Sequence, residues 1–258
     1  MATRTLESSP SILPLYVRAA APMIPGASLL PFIPGGGGEI PELDLPLKGV
    51  VADPAAVAAY AKVCGFALRD SLPVTYPHVL AFPLHMAVMA DGGFPFGAVG
   101  LVHLENRIEQ RRRIGAGEEL TIRIRPTQLA PHSKGQTFSL LTEVTAGDEL
   151  AWQSTSTMLR RGKPSDSDQA ELHQISRPAD RKIDAVREGD LRAGAEWKLD
   201  GGLGRRYASV SGDRNPIHMH SLTAKPLGFP GAIAHGMWTK ARCLAALDSR
   251  LPDAFAVD

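Results

Sequence analysis

The chain has 258 residues, 44% of them hydrophobic, and a formal net charge of +1 at pH 7. This length suits two small domains or one large domain, and the balanced charge provides no basic surface for nucleic acid. Its two cysteines, Cys64 and Cys243, are far apart in sequence and indicate neither a disulfide framework nor a zinc site. No apolar run is long enough to span a bilayer, so we expect a cytoplasmic protein without a membrane span.

Residues 1–46 are predicted to be an N-terminal leader and a loop. Prolines interrupt the apolar residues at the start, which makes the segment a poor secretory signal. We expect a short amphipathic leader that packs on the domain behind it. The stretch Pro31–Pro46, with its run of glycines at residues 35–38, is predicted to be a loop.

A first domain is predicted for residues 47–162. A strand near Leu47 is followed by Asp53 and Pro54, an N-cap and first-turn pair that predicts a helix over Pro54–Val63. A central helix is expected at Tyr76–Ala90. The period of two in Glu119–Arg125 predicts a strand with one polar face. Further strands are predicted at Ala98–Ile108, Thr137–Thr145 and Ala151–Leu159.

Residues 163–194 are rich in charge, serine and proline, and we interpret them as a surface linker. The second domain, residues 195–258, is predicted to contain a strand at Glu196–Leu199 and helices at Gly204–Ser211 and His235–Leu247. The arginine run Arg111–Arg113 in the first domain is most simply a solvated strand end; an alternative is a role in holding the phosphates of a pantetheine carrier.

The stretch Tyr207–Ala224 has the highest density of chemically useful groups. It reads YASVSGDRNPIHMHSLTA and brings Asp213, Asn215 and His218 close together in sequence. Gly212 permits a sharp turn before the acid, and proline stiffens the segment behind it. A carboxylate and an imidazole across a rigid turn can converge on one water molecule as an acid–base pair. An ordinary turn is the alternative, because Asp and Asn readily bond to their own backbone.

The string Y-x-x-x-S-G-D-x-N-P-I-H resembles the signature of the MaoC-like dehydratases, the (R)-specific enoyl-thioester hydratase family. A second match, GFPGAIAHGM at residues 228–237, resembles the segment that enters the central helix of the hot-dog fold in that family. The resemblance implies an α+β chain with a double hot-dog fold, in which antiparallel sheets wrap two central helices. It also implies a hydro-lyase of fatty-acid metabolism that hydrates trans-2-enoyl thioesters to (R)-3-hydroxyacyl thioesters, reversibly.

The two halves share an internal similarity. Residues 60–65 and 207–212 both fit Y-A-x-V-x-G, and His85 stands about as far behind the first match as His235 stands behind the second. Nearly equal offsets indicate a duplicated unit. Phe66 occupies the position of Asp213, so the first half is expected to serve as scaffold and substrate-binding wall without an acid–base pair.

The resemblance implies that Asp213 and His218 hold one catalytic water between them. It places the contact to the thioester oxygen at Gly236, where the N-terminus of a helix offers free N–H groups; helix packing is the alternative role of this glycine. Asn215 is expected to bond to the catalytic residues or the substrate, or to cap the turn. Candidates for lining the substrate site are His235, His103 and Asn106, and the alternative for His235 is a buried, hydrogen-bonded histidine. His220 is expected at the surface. No metal and no cofactor are predicted.

The sequence ends soon after the second central helix, without the strands that should wrap it. A helix needs a partner for its apolar face, so we expect a truncated second unit, or its completion by a homodimer or another partner chain. The expected substrate is a thioester of coenzyme A or acyl carrier protein. Two other functions remain open: a non-catalytic acyl-thioester binding or assembly subunit, and a hot-dog thioesterase.

Overall fold

The structure is a computed structural model that describes residues 2–21, 38–162 and 194–258. Most of the predicted linker and part of the glycine-rich loop lie outside these residues. The described helices of eight or more residues are α1 (Ile12–Ala20), α2 (Pro54–Cys64), α3 (Tyr76–Met89), α4 (Leu203–Ser211) and α7 (Gly236–Leu247), and two short helices are α5 (Pro216–Met219) and α6 (Ser221–Ala224).

Helix α3 forms the centre of the first half. It is apolar on nearly every side, as expected of a helix surrounded by other elements, and Leu84, Met86 and Val88 are buried. Pro77 occupies its first turn, where no intrahelical bond is lost. The helix packs against β4, β6 and the N-terminal helix α1, whose Ala19 is fully buried. The leader therefore packs on the domain as predicted.

An antiparallel sheet wraps α3. Along β4 the side chains of Leu120, Ile122 and Ile124 alternate into the core, while Arg123 points outward and pairs with Asp44. The strand order is β1-β2-β4-β6-β7-β3-β8, with β5 pairing to β6 and with β1 parallel to β2. The strands are β1 (Ala2–Thr3), β2 (Leu43–Val50), β3 (Val102–Gln110), β4 (Leu120–Pro126), β5 (Ala130–His132), β6 (Gly135–Ala146), β7 (Glu149–Arg161) and β8 (Phe255–Val257).

Two local predictions were wrong. Strand β2 begins at Leu43, inside the predicted loop, because Leu45 and Leu47 are buried in the core in spite of the neighbouring prolines. The predicted strand Glu196–Leu199 is not a strand: it has no pairing partner among the described residues, and Leu199 is 54% exposed. The other predicted helices and strands are present with small shifts of their ends.

The second half packs against the first through helices and one strand. Helix α4 lies on α2, and the rings of Tyr207 and Tyr60 are 6.1 Å apart. Both helices end at a glycine in the left-handed conformation, Gly212 and Gly65, as the internal similarity predicts. The short strand β8 pairs with β3 and extends the sheet of the first half. Of the described strands, β8 is the second half's one contribution to the sheet.

Candidate active site

The end of α4 positions Asp213. Gly212 has a φ of 78°, which a residue with a side chain rarely adopts, and its N–H donates to the carbonyl oxygen of Ala208 at 3.0 Å. The helix therefore ends abruptly at Ser211, and Asp213 directly follows the glycine that caps it. The backbone N–H of Asp213 donates to Ser211 Oγ at 3.2 Å, which fixes the direction of the chain at this point.

Asn215 connects the turn at residues 212–215 to α5 and to the first half. Its N–H donates to Asp213 Oδ1 at 3.0 Å, and its side-chain oxygen caps α5 at Ile217. Its amide group donates to the carbonyl oxygen of Leu101 in the first half, at 3.1 Å. The structure thus places Asn215 as a cap and a tie between the two halves, on the wall of the same cavity as Asp213.

The imidazole of His218 is oriented by the backbone. Its Nδ1 lies 2.9 Å from the carbonyl oxygen of Ile233, and because a carbonyl can only accept, Nδ1 carries the proton. Its Nε2 is left for a substrate or a water. Ligand atoms of Asp213, His218 and His235 all lie within 4.8 Å of one another. One water can bridge such a gap.

His235 supports the pair from the N-terminus of α7. Its Nε2 donates to the backbone carbonyl oxygen of Asp213 at 3.0 Å and lies 3.8 Å from Asp213 Oδ2. Its ring stacks on that of His218. Burial lowers the pKa of His235 to about 4, so this imidazole is neutral at pH 7. The sequence-predicted residue is therefore next to the pair, where it holds the backbone of Asp213.

Gly236 opens α7 on the wall of the cavity. The first N–H groups of a helix have no intrahelical partner, so they are available to an oxygen atom at this end. A Cβ built on Gly236 would meet nothing within 4 Å among the described residues. Close packing against the described residues therefore does not account for the glycine.

A cavity of about 300 Å³ joins these groups to the first half. Its walls include Asp213 and His218 from the second half and three histidines from the first: His78, His85 and His103. Burial lowers the pKa of His85 to about 3 and that of His103 to about 4, and it lowers the pKa of His78 still more clearly below its usual range. All three are therefore neutral at pH 7. His103 is placed in the cavity as predicted from sequence.

Asn106 lies elsewhere. It faces a second groove of about 830 Å³ between β3, α7 and β8, outside the wall of the cavity that contains Asp213. Its amide donates to Ser156 Oγ at 3.0 Å, and its side-chain oxygen accepts from Lys240 Nζ at 2.9 Å. Burial lowers the pKa of Lys240 to about 8. The structure does not bring Asn106 together with the acid–base pair.

Tyr16, on α1, is a site residue that the sequence did not reveal. Its hydroxyl accepts from the N–H of Arg214 at 2.6 Å and donates to the carbonyl oxygen of Gly212 at 3.2 Å. It also lines the cavity. Nothing in the leader sequence points to this role, because the contact joins segments at opposite ends of the chain.

Two further groups bear on ligands. Asp213, His218 and His235 form a donor set of two imidazoles and a carboxylate, which suits a divalent transition metal. Two of their ring nitrogens already bond to backbone carbonyls.

In the arginine run, Arg112 pairs with Glu118 and Glu149, and Arg113 pairs with Asp253. These pairs favour the interpretation of the run as a solvated strand end over a phosphate site. His220 is exposed, as predicted.

In the structure, Asp213 and His218 face a cavity beside the N-terminus of α7, and the antiparallel sheet packs around helix α3. Residues 190–257 match the family described as MaoC like domain. The chain is 36% identical over 247 residues to the 3-hydroxyacyl-thioester dehydratase X of Mycobacterium tuberculosis, a match covering 96% of this chain and 82% of that protein.

Solved structures show the same fold. The crystal structure of HtdX from Mycobacterium tuberculosis matches with a TM-score of 0.69 at 35% identity, covering 83% of this chain and 79% of that chain. A MaoC-like dehydratase from Phytophthora capsici matches with a TM-score of 0.60 at 20% identity, covering 82% and 76%, which is a likeness of fold alone. The chain belongs to the MaoC-like dehydratase family, and the predicted hot-dog fold is confirmed. None of the helices in the described part of the chain is long and apolar enough to cross a membrane.

Proposed function

We propose that this protein hydrates trans-2-enoyl thioesters to (R)-3-hydroxyacyl thioesters and catalyses the reverse dehydration, within fatty-acid metabolism. The observation that supports the proposal most directly is the convergence of Asp213 and His218 within 4.8 Å on the wall of one cavity. The similarity to a protein named 3-hydroxyacyl-thioester dehydratase X supports the same reaction.

In the proposed reaction, the pair activates one water. The water oxygen bonds to the β-carbon while the π electrons of the double bond move toward the thioester carbonyl. The proton lost by the water is taken up by the pair, which returns a proton to the α-carbon. The Nδ1–H bond of His218 to the carbonyl of Ile233 keeps Nε2 directed at the reacting groups.

The negative charge that develops on the thioester oxygen needs a donor. The free N–H groups at the start of α7 meet this need, and the partial positive charge of the helix N-terminus acts in the same direction. Gly236 allows the thioester to approach without a side chain in the way. The same contacts would assist dehydration, because both directions pass through one enolate-like state.

We assign different tasks to the two predicted domains. Residues 195–258 supply the reacting groups Asp213 and His218 and the helix N-terminus at Gly236. Residues 47–162 supply the wall for the acyl group, including Phe82, Met86 and His103. Phe66, the counterpart of Asp213, is buried and carries no acid–base group, in keeping with this division. The carrier in the proposal is coenzyme A or acyl carrier protein.

The test is the loss of enoyl ultraviolet absorbance when the protein is mixed with a long-chain trans-2-enoyl-CoA. We expect steady loss with the parent, and a rate lower by about 100- to 10,000-fold with Asp213→Asn or His218→Gln. His220→Gln is the matched control, because this exposed histidine lies two residues beyond His218 and does not line the cavity. It should keep the parental rate.

The same experiment distinguishes the other functions. A thioesterase would release free thiol, which hydration does not, so a thiol-reactive dye is added in a parallel reaction. A binding or assembly subunit would bind the acyl-CoA without any change in absorbance. The proposal would be contradicted if the folded parent protein caused neither loss of enoyl absorbance nor release of thiol.

We also propose that the protein is cytoplasmic. We further propose that it acts as a homodimer, or with a partner chain that adds strands beside α7. The support is the exposure of Cys243 and of Leu247, which is 46% exposed, on a helix of the type that a sheet usually wraps. Sedimentation equilibrium of the purified protein tests this. A monomer at all concentrations would contradict the homodimer.

A further inference from the structure

The N-terminal helix α1 makes an unexpected contact with the catalytic turn. The hydroxyl of Tyr16 accepts from the N–H of Arg214 at 2.6 Å and donates to the carbonyl oxygen of Gly212 at 3.2 Å. It thereby bonds to the residues on both sides of Asp213. Its distance of 3.5 Å to Asp213 Oδ1 places it beside the carboxylate as well.

The rest of α1 is built to hold this contact. Ile12, one turn before Tyr16, packs so closely on Gly212 that a Cβ there would approach its Cδ1 to 2.7 Å. Ala19, one turn after Tyr16, is fully buried at the opposite end of the same face. The helix is thus anchored on either side of the tyrosine, and the hydroxyl cannot move far from the turn.

The hydroxyl group of Tyr16 is also chemically suited to holding the backbone on both sides of Asp213. Burial first, and then the nearby carboxylate of Asp213, raise the pKa of the Tyr16 hydroxyl well above its usual range, so the group remains a neutral donor. It lines the same cavity as Asp213 and His218. A neutral hydroxyl that both donates and accepts can hold two backbone groups without adding a charge to the site.

We infer that Tyr16 is a positioning residue for Asp213: by bonding to the backbone of Gly212 and Arg214, it fixes the direction in which the carboxylate faces His218. The N-terminal helix is then part of the active site. The inference rests on the proposed hydratase function for its effect on rate. The contact itself can be tested by a measurement that does not depend on enzymatic activity.

The variant Tyr16→Phe removes only the hydroxyl oxygen. We expect kcat for enoyl-thioester hydration to fall by about 10- to 100-fold, as for the loss of a hydrogen bond that holds a reacting group. KM should stay within about twofold, because the ring still lines the cavity. If the carboxylate no longer faces His218, the chemical step slows, so kcat falls while KM is kept. A purely structural loss would not change kcat alone.

Tyr60→Phe is the matched control. It makes the same chemical change at a buried tyrosine whose hydroxyl donates to Thr75 Oγ1 at 2.8 Å, and this residue does not line the cavity. We expect its kcat to match that of the parent, even if its melting temperature falls as much as that of Tyr16→Phe.

Amide hydrogen exchange supplies the readout that needs no substrate. The peptide covering residues 211–216 should exchange faster in Tyr16→Phe than in the parent, because the N–H of Arg214 loses its acceptor, and it should be unchanged in Tyr60→Phe. Unchanged exchange in Tyr16→Phe would overturn the contact. Faster exchange with parental kcat would overturn the positioning role, while an inactive parent with faster exchange in the variant would contradict only the proposed hydratase function.

Discussion

The imidazole rings of His218 and His235 stack with their centroids 3.8 Å apart and their planes 26° from parallel. They come from different elements, α5 and the residue before α7, and they are held by different backbone carbonyls. His218 donates to Ile233, and His235 donates to Asp213. The stack therefore links Asp213 and His218, the two members of the proposed acid–base pair, through His235, which has no reacting role in the proposal.

Replacing His235 tests this link. His235→Phe keeps an aromatic ring next to His218 and removes the donor to the Asp213 carbonyl. An unsatisfied buried carbonyl costs about 1–3 kcal/mol, so we expect a lower melting temperature and a kcat reduced by about 10-fold or more. Steady-state kinetics and thermal denaturation check both. Parental kinetics would mean that the bond to Asp213 contributes nothing to the site.

Gly204 allows α4 to pack closely on α5. A Cβ on Gly204 would lie 1.9 Å from the carbonyl oxygen of His218, and a backbone atom cannot swing aside as a flexible side chain can. Gly204→Ala should therefore push His218 away from Asp213 and lower kcat by about 100-fold. Gly201→Ala, where a Cβ would meet nothing within 4 Å, is the control and should match the parent. Equal kinetics in both variants would contradict the prediction.

At Gly236, unlike Gly204, the surrounding residues leave room for a Cβ. Since no described atom lies within 4 Å of its missing Cβ, Gly236→Ala should fold as well as the parent. The added methyl group would occupy the space beside the helix N-terminus that the proposed reaction gives to the thioester oxygen. We expect kcat/KM to fall by about 100-fold while the melting temperature holds or rises. Unchanged kcat/KM would place the thioester oxygen elsewhere, and a large fall in melting temperature would indicate a packing role.

The buried histidines make stability depend on pH. In the unfolded chain His85 and His103 titrate near pH 6.5, whereas burial lowers the pKa in the folded protein to about 3 for His85 and about 4 for His103. Below pH 6.5 the unfolded chain therefore binds protons that the folded protein does not, and stability falls toward pH 4. Each histidine should account for about 2 kcal/mol between pH 6.5 and pH 5.

Urea denaturation at a series of pH values measures this loss. His85→Met should lose less stability on acidification than the parent, whatever its stability at pH 7, because one buried titrating group is gone. His220→Gln, at an exposed position, should keep the parental slope. A free energy of unfolding that does not change between pH 7 and pH 5 would contradict the prediction.

The parts of the site that sequence predicted are those made by local bonds. The turn at Asp213 depends on Gly212 behind it, on the Asn215 N–H ahead of it and on the proline that begins α5, all within a few residues. The start of α7 at Gly236 is local in the same sense. Short-range chemistry of this kind leaves a readable pattern, and the resemblance to a known family rests on the same residues.

The parts that sequence missed depend on contacts between distant segments. Tyr16 gains its role only because α1 folds back against the end of α4. Strand β8 has three residues and exists because β3 offers an open edge. Alternation along β3 correctly placed His103 and Asn106 on a strand, yet it could not tell that both would line the groove beside α7 and that His103, unlike Asn106, would also line the cavity of Asp213. At these positions tertiary packing determines the outcome.

The pairing of β8 with β3 also bears on how the protein is made. Val257 pairs with Ile108, so the strand that carries the second half onto the sheet leaves the ribosome after the whole of the first half. Domains generally fold as units during synthesis, the N-terminal one first. The first half can therefore assemble around α3 before the reacting groups exist. Its β3 edge then serves as the template for β8, so the second half joins a sheet that has already formed.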